Sequence, residues 1–245
     1  MRSPCPPSLA FALGLGARAH QLCQELQATH EWAEAAITLS TEQGLPFWLA
    51  WGTIMQGWAL TAQGQGEEGI AQIRQGLAAY RATGAEGQRS YFLVLLADAY
   101  EKVGQPKEGL AVLTEVLAMV DNDGERMCEA EMYRLKGELL LQQFKVQGSE
   151  FKVENPQSAI RLPPPSGGNP QSDAEACFLK AIDIACQQQA KSWELRASTS
   201  LARLWQSQDK RAEAHKLLSE IYNWFTEGFD MKDLQEANAL LDALS

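Results

Sequence analysis

The sequence predicts an all-α fold, a superhelix of antiparallel helical hairpins closed by a C-terminal capping helix. Three observations predict it. Apolar residues recur at steps of three and four, as in Leu110, Leu113, Leu117 and Val120, in a chain dominated by Ala, Leu, Gln and Glu. Gly and Pro gather between the periodic segments, at Gly44-Leu45-Pro46, Gly64-Gln65-Gly66, Gly84 to Gly87 and Gly104-Gln105-Pro106. The chain is also similar to itself: the segment from Gly57 to Gly64 aligns with that from Ala97 to Gly104, each followed by a short turn and then Glu68-Gly69-Ile70 or Glu108-Gly109-Leu110. The step from Gly57 to Ala97 is 40 residues. A fixed step of this kind marks a stack of like units, each burying its apolar face against the next.

The elements follow in order. Helix pairs are expected at about 8–28 with 31–43, 47–63 with 67–82, 89–103 with 107–121, 125–144 with 173–189, and 192–207 with 210–226. A further step of 40 leads from Ala97 to Gly137, but Ala202 lies 65 residues beyond, an excess of 25. The excess has a source in residues 146–172, which contain Pro163-Pro164-Pro165-Ser166-Gly167-Gly168 and read as a flexible insert between the two helices of one repeat. A last helix at about 231–244, with Asp230 as its N-cap, carries the apolar stripe Leu234, Ala237, Leu241 and Leu244 that covers the open end. The whole, 1–245, reads as a single repeat domain.

Composition narrows the function. A net charge of -10 without a basic cluster argues against direct nucleic-acid binding. No apolar run reaches the ~18 residues that span a bilayer, and the five scattered cysteines form no C-x-x-C pair, so a cytoplasmic chain with reduced thiols is expected. The Gly-x-Gly pairs at 14–16 and 64–66 follow no strand and read as helix punctuation rather than nucleotide loops. His20, Cys23 and His30 offer a faint metal pattern without a third ligand on a shared face. No nucleophile has a base beside it. The expectation is therefore no catalytic site, no cofactor and no metal.

The small-x-x-aromatic pairs Ala97 with Tyr100 and Ala202 with Trp205, together with Ala214 on a second helix, resemble the tetratricopeptide repeat (TPR), whose usual period is ~34 residues. That resemblance implies a right-handed superhelix. The stretches Gln56-Gly57-Trp58-Ala59-Leu60, Glu129 to Leu141, Ala174 to Phe178, Ala190 to Ala197, Ser200 to Trp205 and Trp224 to Asp230 are similar to the C-terminal region of large bacterial AAA-type ATPases, often fused to class III adenylate/guanylate cyclase or transcriptional-regulator domains. The resemblance implies an interaction or regulatory module whose partner is a protein, a peptide or another domain of such a protein. It also leaves open a small-molecule sensor that takes a sugar or metabolite in the groove. No phosphate loop and no paired cyclase aspartates are present in the sequence, so the catalytic parts of that family do not carry over.

With the small residue as register anchor, first helices line a concave groove with Trp51 and Trp58, Tyr91 and Asp98, then Glu131, Arg134 and Glu138, and finally Arg196 and Arg203. Two other roles compete. Trp48, Trp58, Trp193 and Trp205 equally suit inter-repeat core, and Arg134 can pair with Glu131 or Glu138 one turn away. At the N-terminal end, Leu9, Phe11, Leu13 and Leu15 form an apolar face expected to invite self-association.

Overall fold

The computed structural model describes residues 5–123, 125–150 and 169–245, with side chains over 5–120, 125–146 and 169–245. The described residues form helices and turns and contain no strand. Contacts divide the chain into two compact units, Met1–Gln105 and Pro106–Ser245. In the first unit the helices are α1 (Pro6–Leu22), α2 (Leu26–Gln43), α3 (Pro46–Ala62), α4 (Gly66–Ala82) and α5 (Arg89–Lys102). In the second they are α6 (Pro106–Asp123), α7 (Glu129–Glu150), α8 (Pro170–Gln187), α9 (Lys191–Ser207), α10 (Arg211–Tyr222) and α11 (Lys232–Leu244). Within each unit sequential helices pack as antiparallel neighbours, and the odd-numbered helices also touch, so α1, α3 and α5 lie side by side in one unit and α7, α9 and α11 in the other.

One turn joins most of these helices. Its closing bond runs from a backbone N–H to the carbonyl five residues back, from Glu25 to His20, Leu45 to Ser40, Gln65 to Leu60, Gln105 to Tyr100, Ala190 to Ala185 and Lys210 to Trp205, each 2.9 Å. The residue before each donor is left-handed: Gly44, Gly64 and Gly104, but also Gln24, Gln189 and Asp209. This is the helix C-terminal motif that satisfies the last carbonyls and stops the helix.

The non-glycine turns correct the expected boundaries. The first pair was expected to break near 29–30, but α1 ends at Leu22 because Gln24, at φ 58°, makes the turn in glycine's place. Helix α7 runs on to Glu150 and α8 begins at Pro170, so both margins of the expected insert are helical. The Asn169 side chain accepts from the Gln171 N–H and starts α8. The remainder of the insert, 151–168, lies outside the described residues. Asp230 is not the N-cap of α11; Met231 occupies that position, with no side-chain cap bond. The apolar stripe of α11 does pack, with Leu234, Ala237, Leu240 and Leu244 buried against α9 and α10 and Leu241 partly buried beside them.

In the first unit, α3 and α4 approach until backbone meets backbone. A Cβ on Gly57 would lie 2.7 Å from the Gly69 carbonyl oxygen and 2.9 Å from the Ile73 nitrogen, and one on Gly76 would lie 3.0 Å from the Ile54 nitrogen. Side chains can move aside, whereas helix backbone cannot, so small residues at the crossing set how closely the pair packs. Across the second unit, the equivalent Gly137 faces the ring of Phe178, and Ala202 and Ala214 are fully buried.

Two outcomes follow from these contacts. Gly57→Ala gains helix propensity of ~1 kcal/mol but forces α3 from α4, and should lower stability by roughly 2 kcal/mol net in urea unfolding of the full chain. A raised midpoint would contradict the close approach. Gln189→Gly relieves a left-handed glutamine and should raise stability by about 0.5 kcal/mol, read as a higher melting temperature.

Candidate functional site

The nine residues assigned to the groove fall into two groups, one in each unit. In the first unit, α3 presents Trp51 and Trp58, and α5 presents Tyr91 and Asp98. Trp51 and Tyr91 are only 3% and 2% exposed. The Trp51 indole N–H donates to the Gly14 carbonyl at 3.0 Å, and its ring meets Phe92 edge-on at 4.9 Å. The Tyr91 hydroxyl donates to Gln21 at 2.7 Å, and the Arg18 guanidinium sits 4.4 Å above its ring. Both were expected as open groove lining, and both are corrected to core. Their size is the reason: large rings on adjacent helices bury area against Phe47, Trp48 and Phe92 more readily than they stay wet.

Trp58 is likewise buried, and its indole N–H donates to Asp98 Oδ2 at 2.6 Å. These two residues stand one repeat step apart, so the register that aligned them in sequence joins them in space. Asp98 also takes the ammonium of Lys102 one turn on. Its charge is thereby spent on neighbours within the unit.

The second unit gathers the polar candidates on α7, α9 and α11. Arg134 makes a two-pronged pair with Glu131, at 2.9 and 2.7 Å, and lies 3.8 Å from Glu138. Glu138 accepts from the Ser200 hydroxyl at 2.6 Å, tying α7 to α9. Arg196 donates to Asp233 at 2.7 Å and Arg203 to Glu236 at 2.8 Å, tying α9 to α11. Glu131, Arg134 and Glu138 are thus linked on α7, Ser200 ties Glu138 to α9, and Arg196 and Arg203 reach α11 through Asp233 and Glu236. Asp233 and Glu236 were missed because the first-helix register was not carried into the capping helix, and Ser200, between Arg196 and Arg203 on α9, carries no charge to single it out. Asp233 and Glu236, three apart on α11, lie 37 and 33 residues beyond their arginines. A signal was present.

The two cross-helix ion pairs differ. Arg196 and Asp233 keep only 10% and 14% of their side-chain surface exposed, whereas Arg203 and Glu236 keep 49% and 41%. The first is a structural tie and the second a wet one. Burial pushes the Asp233 carboxyl above the usual carboxylate range, against the pull of Arg196 and with a smaller upward push from Glu131. Burial likewise raises the thiols of Cys177 and Cys186, with Glu194 adding to the rise at Cys186. Thiols held in this way are poor nucleophiles.

Elsewhere, His20 pairs with Glu25 and its ring leans on Trp32 at 5.3 Å. Among the described residues no three His, Cys, Asp or Glu side chains converge as a metal site. No described helix is long and apolar enough to cross a membrane. Trp193 and Trp205 are partly buried core, as expected, and the Trp205 indole donates to Glu175 at 2.8 Å.

With this geometry in hand, the chain can be compared with known proteins. It is similar in structure to the TPR-like repeats of a putative kinesin light chain of Podosopora anserina. The match has a TM-score of 0.53, 19% identity, and covers 89% of this chain and 95% of that one. A point-substituted form of the same repeats gives a TM-score of 0.54 at 18% identity, covering 90% of this chain and 95% of that one. The fold is TPR-like. No protein-family model and no curated protein matches the sequence.

Asp233 yields a pH prediction. Because its folded pKa lies above the unfolded one, the folded chain holds the proton more tightly; its contribution to stability is full below the unfolded range and is lost as pH rises through the folded value. The melting temperature of wild type minus that of Asp233→Asn should therefore be larger at pH about 3.5 than at about 7. The opposite slope would mean that attraction to Arg196 outweighs burial.

Proposed function

We propose that this chain is a non-catalytic interaction scaffold whose polar strip on α7, α9 and α11 receives a segment of a protein partner. One observation carries the reading: polar side chains up to about a hundred positions apart in sequence meet across three helices, with Arg134 beside Glu138 on α7, Glu138 accepting from Ser200 on α9, and Arg203 on α9 donating to Glu236 on α11. Arg and carboxylate groups alternating along a strip can exchange their internal partners for those of an incoming peptide, which favours a specific register over general stickiness. The TPR-like fold supports a scaffold role, since repeats of this kind present stacked helix faces rather than an enclosed catalytic cleft.

Within that reading, Arg203 and Glu236 are the accessible end of the strip, whereas Arg196 and Asp233 hold α11 in place. Trp51 and Tyr91 serve the fold. We further propose that the module acts in the cytoplasm and that, as the sequence resemblance implies, it regulates an ATPase or cyclase activity on the same or a partner chain.

Peptides selected on the full chain from a random display library provide the test. Arg203→Ala should weaken the selected peptides by ~1 to 3 kcal/mol, while the melting temperature stays nearly constant because the pair it breaks is exposed. Peptides indifferent to Arg203→Ala and to Glu236→Ala would place recognition elsewhere.

A further inference from the structure

We infer that the partner segment brings an Asp or Glu side chain to Arg203, and that Glu236 is an internal stand-in for that carboxylate which the partner displaces. The inference rests on the polar strip being the docking surface and names the chemistry that the strip selects. The ion pairs of the strip are unequal. Arg134 and Arg196 are mostly covered, and so are the carboxylates of Glu131 and Asp233 that they face. Arg203 and Glu236 are each more than two-fifths exposed. A pair of this kind is held weakly, since water and salt screen it and both long side chains give up freedom to keep it.

A third side chain decides which partner can enter. Glu236 lies 2.8 Å from the Arg203 guanidinium and 3.8 Å from the Lys232 ammonium, one turn back on α11, and Lys232 is 51% exposed. An incoming carboxylate that takes Arg203 leaves Glu236 beside Lys232, so that two cations and two carboxylates balance. An incoming cation that takes Glu236 instead sets three positive charges around one carboxylate. The first exchange is neutral and the second is not. A guanidinium also takes a carboxylate in a two-pronged geometry, which fixes the register of the incoming segment. Helix α11 begins beside Lys232 with no side-chain cap bond, and its positive end adds to the same field. The net charge of -10 belongs to the whole chain. At about 0.15 M salt, charges more than ~8 Å away are largely screened, so the distant acids slow the encounter more than they oppose the contact.

The test uses peptides selected on the full chain from a random display library, resynthesised and titrated by fluorescence anisotropy at about 0.15 M salt. The peptides that lose affinity with Arg203→Ala should be enriched in Asp and Glu over Lys and Arg. Glu236→Gln removes the internal carboxylate and keeps its shape; it should tighten these peptides by roughly twofold to fivefold, the span of an exposed ion pair. Arg203→Glu should turn the selection toward peptides bearing Lys or Arg. Melting temperatures should stay nearly constant, because the pair is exposed. Glu213→Gln, an equal change of charge on the exposed side of α10, should leave affinity unchanged. Arg203-dependent peptides that are basic, or that weaken with Glu236→Gln, overturn this inference and leave the strip as a docking surface. Tightening by Glu213→Gln as large as that by Glu236→Gln overturns it too, since net charge would then be the cause. A library that yields no peptide sensitive to Arg203 or Glu236 overturns the strip reading and this inference with it.

Discussion

The left-handed turn that ends one helix and aims the next is the constraint on which the rest depends. Its single backbone bond, 2.9 Å long, recurs at Glu25, Leu45 and Gln65, twenty residues apart, and again at Gln105, Ala190 and Lys210. A helix stopped at a fixed length and reversed by a fixed turn presents the same face to its neighbour each time. The buried positions of successive helices then fall in register without further instruction. The 40-residue step in the sequence is two such half-units. Changing the turn by one residue would rotate the next helix by about 100° and carry its apolar face away from the core.

Given that phase, packing decides which polar groups can stay exposed. In the first unit the rings are large and close, so Trp51, Trp58 and Tyr91 are drawn inside and their polar atoms are satisfied by Gly14, Asp98 and Gln21. In the second unit the corresponding positions hold arginines and glutamates, which are too costly to bury unpaired and so pair with one another across α7, α9 and α11. The same register gives an aromatic core in one unit and a charged strip in the other. Asp233 shows how near the balance lies: its ion pair with Arg196 does not fully offset what burial costs it.

By itself the sequence determined the helical class, the repeat step and the small residues at the helix crossings. Each is a local or periodic property, legible from Gly, Pro and apolar spacing. It marked Glu131, Arg134, Glu138, Arg196 and Arg203 as equivalent first-helix positions, because that follows from the repeat register alone. Three things were decided by tertiary structure. Gln24, Gln189 and Asp209 adopt the left-handed turn without glycine, because the packed helices on either side impose a conformation that their own preference does not. Trp51 and Tyr91 are core rather than groove, because the burial of a side chain on a helix depends on what the neighbouring helices bring against it. Asp233 and Glu236 pair with Arg196 and Arg203 from a capping helix whose tie to α9 is made by contact across the fold, which no spacing within a single helix encodes.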